Sequence, residues 1–318
     1  MKPDEFRFFV QTVESAFSPD VVVEASGIRY GWRPDMGGER VLAPYTRIEP
    51  AAWVLSAVSL LHSRQSDVPA ALRAKARSMV EYTQDVLMLY RSGDSGGWNV
   101  FPHQTNPDDQ STYGSAAVLI GLLDLAEADL PWLGSRERRD ELILATTDWL
   151  LRRFEKSEGR AGWRASPGDP RSQRSDGLTL MIYSGLLREE RLTGRPLPPE
   201  IVSELPKFLS YAVEQGPRGG QWSVFVETRE FRNHLGVLTV ADERTHVLWY
   251  PWALECARGW LERVKRVGGT RAELTQARRH LSRLVVDLGE AMVAEARDGD
   301  LTFVISETLY GLAPVGGQ

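Results

Sequence analysis

The sequence predicts an all-α fold, an α/α toroid of about five helical hairpins. Three observations predict it. First, glycine-tryptophan turns recur at nearly even spacing: "YGW" ending at Trp32, "GGW" at Trp98, "AGW" at Trp163 and "GGQW" at Trp222, at intervals of 66, 65 and 59 residues. A period of that kind marks a repeat architecture. Second, each turn leads through a polar loop into a stretch that is apolar nearly all round, which implies a helix buried on both sides. Third, helices with one clear polar face lie between these stretches, with apolar residues at i, i+3, i+4 and i+7. Amphipathic helices alternating with two-sided apolar ones predict two layers, the outer covering the inner. A simple solenoid is the runner-up, but its two helix types would differ less in polarity.

The inner helices are expected at "IEPAAWVLSAVSLL" (48–61), "STYGSAAVLIGLL" (111–123), "SDGLTLMIYSGLL" (175–187) and "ERTHVLWYPWALECARGWL" (243–261), with 300–314 as a shortened fifth. The outer helices are expected over roughly 4–17, 71–89, 135–156, 198–214 and 270–296. Their starts carry the usual signals. Ser135 precedes Arg136-Glu137-Arg138 as an N-cap, Pro198-Pro199 opens the next helix, and Thr270 with Glu273 forms a capping box. Segments 20–32 and 223–231 have β-branched character and are expected as short local strands. The whole chain, 1–318, reads as one toroid domain, with repeats near 30–66, 96–127, 161–190, 219–262 and 298–314.

Composition narrows the function classes. With 42% hydrophobic and 25% charged residues, the chain has ample apolar content for a large core. A net charge of -5, with no long block of like charge, gives nucleic-acid binding no electrostatic support. The single cysteine, Cys256, forbids an intrachain disulfide and points to a reducing, cytoplasmic setting. It sits in an apolar helix and reads as a small core residue. The first residues are amphipathic rather than a secretory signal, and no run of 18 apolar residues would span a membrane. No phosphate-binding loop, dinucleotide fingerprint, zinc-protease motif or nucleophile elbow is present, so no cofactor is expected.

The loops "GGWNVFPHQTNPDDQSTYGSAAVLIGLLDL" and "AGWRASPGDPRSQRSDGLTLMIYSGLL" resemble the repeats of the terpenoid cyclase and protein prenyltransferase toroid superfamily, over about residues 30 to 260. The resemblance implies a hydrophobic, isoprenoid-type ligand and, on the class II cyclase side, protonation by an Asp of an Asp-x-Asp-Asp motif. That chemistry needs one strong acid at the top of a dry, aromatic-lined cavity. The matching segment is Asn106-Pro107-Asp108-Asp109-Gln110-Ser111-Thr112. With Asp108 as the acid, Asn106 replaces the first Asp; with Asp109 as the acid, Pro107 and Gln110 replace its neighbours. Neither register gives the full motif. An acid before Ser-Thr also suits helix capping and the helix dipole.

The prenyltransferase comparison implies a zinc site of Asp, Cys and His. Asp176-Gly177-Leu178 matches its helix start, and His246 stands near the matching position of the next inner helix. Leu178 replaces the cysteine ligand, however, so no metal is expected.

In a toroid the inner helices run the same way, and their N-termini gather at one mouth with partial positive charge. The ionisable and polar groups expected there include Asp108, Asp109, Tyr113, Asp176, Glu243, Arg244 and His246, with Trp249 among the aromatics above an apolar funnel. Asp109 and Asp108 are the catalytic candidates, and Tyr113, Asp176, His246, Trp249, Glu243 and Arg244 the ligand-binding candidates. Three functions fit: a terpenoid-cyclase-like protein with a hydrophobic ligand, a non-catalytic toroid that binds a protein or peptide at its mouth, and a carbohydrate-active α/α barrel. The third requires two acids facing one groove, and Asp109, Asp176 and Glu243 are the acids available for it.

Overall fold

The computed structural model describes residues 17–24, 27–32, 48–63, 70–91, 93–102, 104–157, 160–164, 174–214, 231–232, 238–239 and 250–298. The chain divides into two compact units, one formed by 1–153 with 166–170 and the other by 154–165 with 171–318. Each is described by itself.

In the first unit, an antiparallel hairpin of β1 (Phe17–Glu24) and β2 (Gly27–Trp32) precedes α1 (Ile48–Ser63) and α2 (Ala70–Met88). A two-stranded ribbon of β3 (Trp98–Asn99) and β4 (Gln110–Ser111) leads into α3 (Thr112–Glu127) and then α4 (Arg136–Arg152). The two-sided apolar helices α1 and α3 pack against each other, while the amphipathic α2 and α4 cover α1 and α3 respectively. Helix α3 shows why it must lie inside: nearly every residue from Thr112 to Leu125 is buried, on all faces. Each large aliphatic side chain removed from water in this way contributes about 1.5–3 kcal/mol. Buried Asp124 of α3 accepts a hydrogen bond from the Ser56 hydroxyl of α1, so one carboxylate ties the two inner helices together.

The second unit repeats the scheme. The ribbon β5 (Glu155–Ser157) and β6 (Arg160–Gly162) precedes α5 (Asp176–Thr193) and α6 (Pro199–Glu214); β7 (Phe231–Arg232) and β8 (Leu238–Thr239) form a second ribbon, followed by α7 (Tyr250–Arg266) and α8 (Arg271–Asp298). Helices α5 and α7 pack together, α8 lies on α7, and α6 touches α8.

Helix starts follow the sequence signals. Ser135 accepts from the Arg138 backbone N–H at 3.0 Å, Pro199 is the first residue of α6, and Thr270 and Glu273 exchange the two bonds of a capping box at 3.2 and 2.7 Å. Gly194 ends α5 in the left-handed region with φ +74°. Helix α5 runs six residues beyond the expected 187 because its charges are satisfied rather than solvated. Buried Glu190 receives Arg263 and Arg266 at 2.9 and 2.6 Å, and buried Glu189 receives Arg195 at 3.3 Å. The expected helices at 4–17 and 300–314 lie outside the described residues, as does nearly all of 223–231.

The glycine-tryptophan turn has the same construction in both units. The Trp98 backbone N–H donates to Ser115 Oγ at 3.0 Å, and the Trp163 N–H donates to Thr179 Oγ1 at 3.5 Å. Ser115 and Thr179 each stand four residues beyond the N-cap serines, Ser111 and Ser175. Both indoles are fully buried. The glycine before each tryptophan is there for close approach. A Cβ on Gly97 would lie 2.4 Å from Trp149 Cε2 and 2.6 Å from Gln110 Oε1, and one on Gly162 would lie 2.5 Å from Thr179 Oγ1. Gly97→Ala is therefore expected to lower stability by about 1–3 kcal/mol through overpacking, measured by urea unfolding; an unchanged midpoint would contradict the packing described.

Candidate functional site

The loop between Trp98 and α3 carries the adjacent aspartates. Its base is the β3–β4 ribbon, in which Trp98 faces Ser111 and Asn99 faces Gln110. Buried amides hold it. Gln110 Oε1 accepts from the Trp149 indole N–H at 2.7 Å, while its Nε2 donates to Ser95 Oγ and to the Gly97 carbonyl. Asn99 Nδ2 donates to the Gln104 carbonyl at 2.7 Å, and Gln104 Oε1 accepts from the Phe101 N–H at 2.9 Å. At the far end, Pro107–Asp109 form one 3₁₀ turn. Asn106 closes it, accepting the Asp108 N–H on its side chain at 3.0 Å and the Asp109 N–H on its carbonyl at 3.0 Å. A side chain accepting from two residues ahead is an Asx turn, which fixes the backbone without help from the ligand.

These bonds brace a turn that presents an exposed Asp108 and a half-buried Asp109 beside a fully buried Gln110. Neither aspartate caps α3. Ser111 does, accepting from the Gly114 N–H at 3.0 Å. The helix thus starts where the 111–123 stretch begins, with Ser111 as its cap, and the carboxylates are left for other work. Tyr113 lies half-buried on the first turn of α3.

In the second unit, Asp176 is the first residue of α5 and only 2% exposed. Its carboxylate accepts from the Tyr211 hydroxyl of α6 at 3.0 Å, while Ser175 caps the helix through the Leu178 N–H. In the same unit the aromatic rings of Phe154, Trp163, Tyr183 and Phe208 meet in series at tilted and edge-on angles, with centroids 5.0 to 5.9 Å apart. Burial raises the Tyr183 hydroxyl's pKa well above the ordinary phenol value, so it stays neutral. The same desolvation pushes the Cys256 thiol up, which makes it an inert core residue. Glu243, Arg244, His246 and Trp249 lie outside the described residues. Among the described residues, no three His, Cys, Asp or Glu side chains are grouped to hold a metal ion, and no helix is long and apolar enough to cross a membrane.

No protein-family model and no curated protein matches the chain. Solved structures do. A GH76 α-mannanase of Bacteroides thetaiotaomicron aligns with a TM-score of 0.55 at 10% identity, covering 96% of this chain and 82% of the mannanase. A cellobiose 2-epimerase of Spirochaeta thermophila aligns with a TM-score of 0.55 at 15% identity, covering 86% of this chain and 64% of the epimerase. This chain thus spans slightly less than two thirds of the epimerase's length. The likeness shows the fold, an all-α assembly of helical hairpins in the α/α-toroid class.

It also corrects the terpenoid cyclase and prenyltransferase resemblance. The fold is similar to that of the mannanase and the epimerase rather than of a terpenoid cyclase or prenyltransferase, and the isoprenoid ligand and Asp-mediated alkene protonation fall with that resemblance. The physical reason is visible in the repeats. The Gly-Trp turn, the hydroxyl four residues past the cap and the apolar helix are what a buried hairpin needs, whatever it binds. The exposed Asp108 also lacks the dry surroundings that alkene protonation demands, and Leu178 is buried in the core where the zinc-binding thiolate would stand.

The amides Asn99, Gln104 and Gln110 were not singled out by the sequence. Their signal is faint, since only the folded ribbon shows that they are paired and that Asn99 and Gln110 are buried. If Ser111 rather than the aspartates starts α3, Ser111→Ala costs about 1 kcal/mol whereas Asp108→Ala changes stability by less than about 0.5 kcal/mol. Thermal unfolding of the two variants checks this, and a larger loss for Asp108→Ala would make it a structural residue.

Proposed function

We propose that this protein is a carbohydrate-active enzyme that acts on a glycosidic bond, with Asp108 and Asp109 as its acid pair. The observation that carries the reading is the aspartate turn itself. Two neighbouring carboxylates, one exposed and one half-buried, are held on a hydrogen-bonded turn, and the helix that follows is capped by Ser111 without them. The likeness in fold to a mannanase and an epimerase supports sugars as the substrate class.

Glycoside hydrolysis asks for two carboxyl groups in different states. One, protonated, gives its proton to the leaving oxygen as the bond to the anomeric carbon breaks. The other, ionised, supports the developing oxocarbenium charge or activates the attacking water. Asp108 is the exposed and Asp109 the half-buried member of the pair. Fixing the loop by Asn99, Gln104 and Gln110 keeps the pair in place before substrate arrives, which is how positioning lowers a barrier. Tyr113, half-buried on the first turn of α3 in the same unit as the pair, is assigned to a substrate contact.

The test is product analysis with α-mannan oligosaccharides and cellobiose. Full-length protein is expected to release or convert sugar. Asp108→Asn and Asp109→Asn are each expected to lose about 10²–10⁴-fold in rate with unchanged melting temperature. Turnover that survives both substitutions would remove the pair from the mechanism.

A further inference from the structure

In the second unit α8 buries Ala277, His280 and Leu284, at i, i+3 and i+7 along one face. Two of those places hold aliphatic side chains, and the third holds a histidine. Helix α6, which touches α8, buries Ile201, Leu205, Phe208, Leu209 and Ala212, with Ser210 half-buried beside them. His280 meets α6 at Ser210, where Oγ and His280 Nε2 lie 3.2 Å apart.

The hydrogens at this contact can be assigned. The Ser210 hydroxyl has one hydrogen, and it goes to the Pro206 carbonyl at 3.0 Å. The same oxygen accepts from Gln276 Nε2 of α8 at 3.2 Å, so toward the ring it is an acceptor as well. His280 is therefore the neutral tautomer with its hydrogen on Nε2. Ser210 is no activated nucleophile, because its proton is given to Pro206 and not to the ring. The remaining ring nitrogen, Nδ1, is buried and meets no hydrogen-bond partner among the described residues. A second proton would go there, where no acceptor receives the N–H and little water reaches the charge. Among the described residues, the charged groups that act on the ring are Arg279 on α8 and Glu214 at the end of α6, with none from α7. Burial is the largest influence and Arg279 adds to it, while Glu214 opposes both; together they hold the ring's pKa below the ordinary histidine value.

We propose that His280 is a pH-sensitive fastener of α6 to α8: neutral, it completes their contact, and protonated, it releases α6. A released ring titrates at about 6.5, whereas the docked ring takes its proton only at lower pH. The contact is therefore fully in place above about pH 6.5 and is lost as pH falls toward the docked ring's own pKa. Tyr211, next to Ser210, donates to Asp176 at the start of α5 at 3.0 Å, so release of α6 reaches that helix too. The inference stands apart from the sugar reading.

Amide hydrogen exchange of α6 in the full-length protein, from about pH 7.5 to about pH 5.5, tests it. Each variant is compared with the unsubstituted protein at the same pH, so that the chemical exchange rate cancels. The unsubstituted α6 is expected to lose protection in acid. His280→Gln, which keeps an N–H for Ser210 and takes no proton, is expected to lose less. Two exposed positions give opposite signs without disturbing the packing: Arg279→Gln is expected to shrink the acid loss and Glu214→Gln to enlarge it. Protection of α6 unchanged in acid, an acid loss equal in His280→Gln, or the two exposed substitutions acting in the same direction would each overturn the proposal. Since no sugar turnover is measured, failure here leaves the acid pair untouched, and an inactive acid pair leaves the fastener standing.

Discussion

The fold depends on one hydrogen bond made twice. A tryptophan N–H, arriving from a glycine turn, is taken by a hydroxyl on the first turn of the next inner helix: Trp98 by Ser115, and Trp163 by Thr179. The bond sets the distance between turn and helix, so the indole that follows must go into the core. There the Trp98 indole N–H donates to Thr146 of α4 at 3.0 Å, which ties the outer helix to the turn that began the hairpin. A buried N–H left without a partner costs about 1–3 kcal/mol, so losing any one of these groups is felt along the whole hairpin. The glycine is the other half of the constraint. A Cβ on Gly162 would meet the accepting Thr179 Oγ1 itself, and one on Gly97 would meet the Trp149 ring and Gln110.

The same constraint shapes the candidate site. Because Trp98 and Ser111 are held opposite each other, the residues between them leave as a loop with a fixed base. Asn99 and Gln110, on the other pair of the ribbon, turn their amides inward and brace it. What reaches solvent is the Asn106–Asp109 turn. A loop tied down in this manner carries functional groups better than a free one, since the cost of ordering it has been met in folding.

Much of this could be read from the sequence. The alternation of polar-faced and all-round apolar helices gave the helical hairpins, and Ser135, Pro199 and the Thr270–Glu273 box start their helices as their chemistry requires. Other features could not be read. Strands of two residues show no periodicity, so the β3–β4 ribbon was invisible, although α3 starts at Ser111 as the 111–123 stretch requires. The run Arg188-Glu189-Glu190-Arg191 looks like a solvated helix end, and only packing reveals that both carboxylates are buried, Glu190 against Arg263 and Arg266 distant in sequence and Glu189 against nearby Arg195. The resemblance to terpenoid cyclases came from residues that build the hairpin. They report on the fold and carry no information about the ligand, because function resides in the site.

The central claim is that the aspartate loop faces a sugar. Saturation-transfer NMR of the intact protein with α-mannan oligosaccharides and cellobiose, with farnesol as the apolar comparison, tests it most directly. The account predicts saturation on sugar protons, competed by excess sugar and lost when the Asn106–Asp109 turn is replaced by glycine and serine. Saturation on farnesol alone, or sugar signals that persist without that turn, would contradict it.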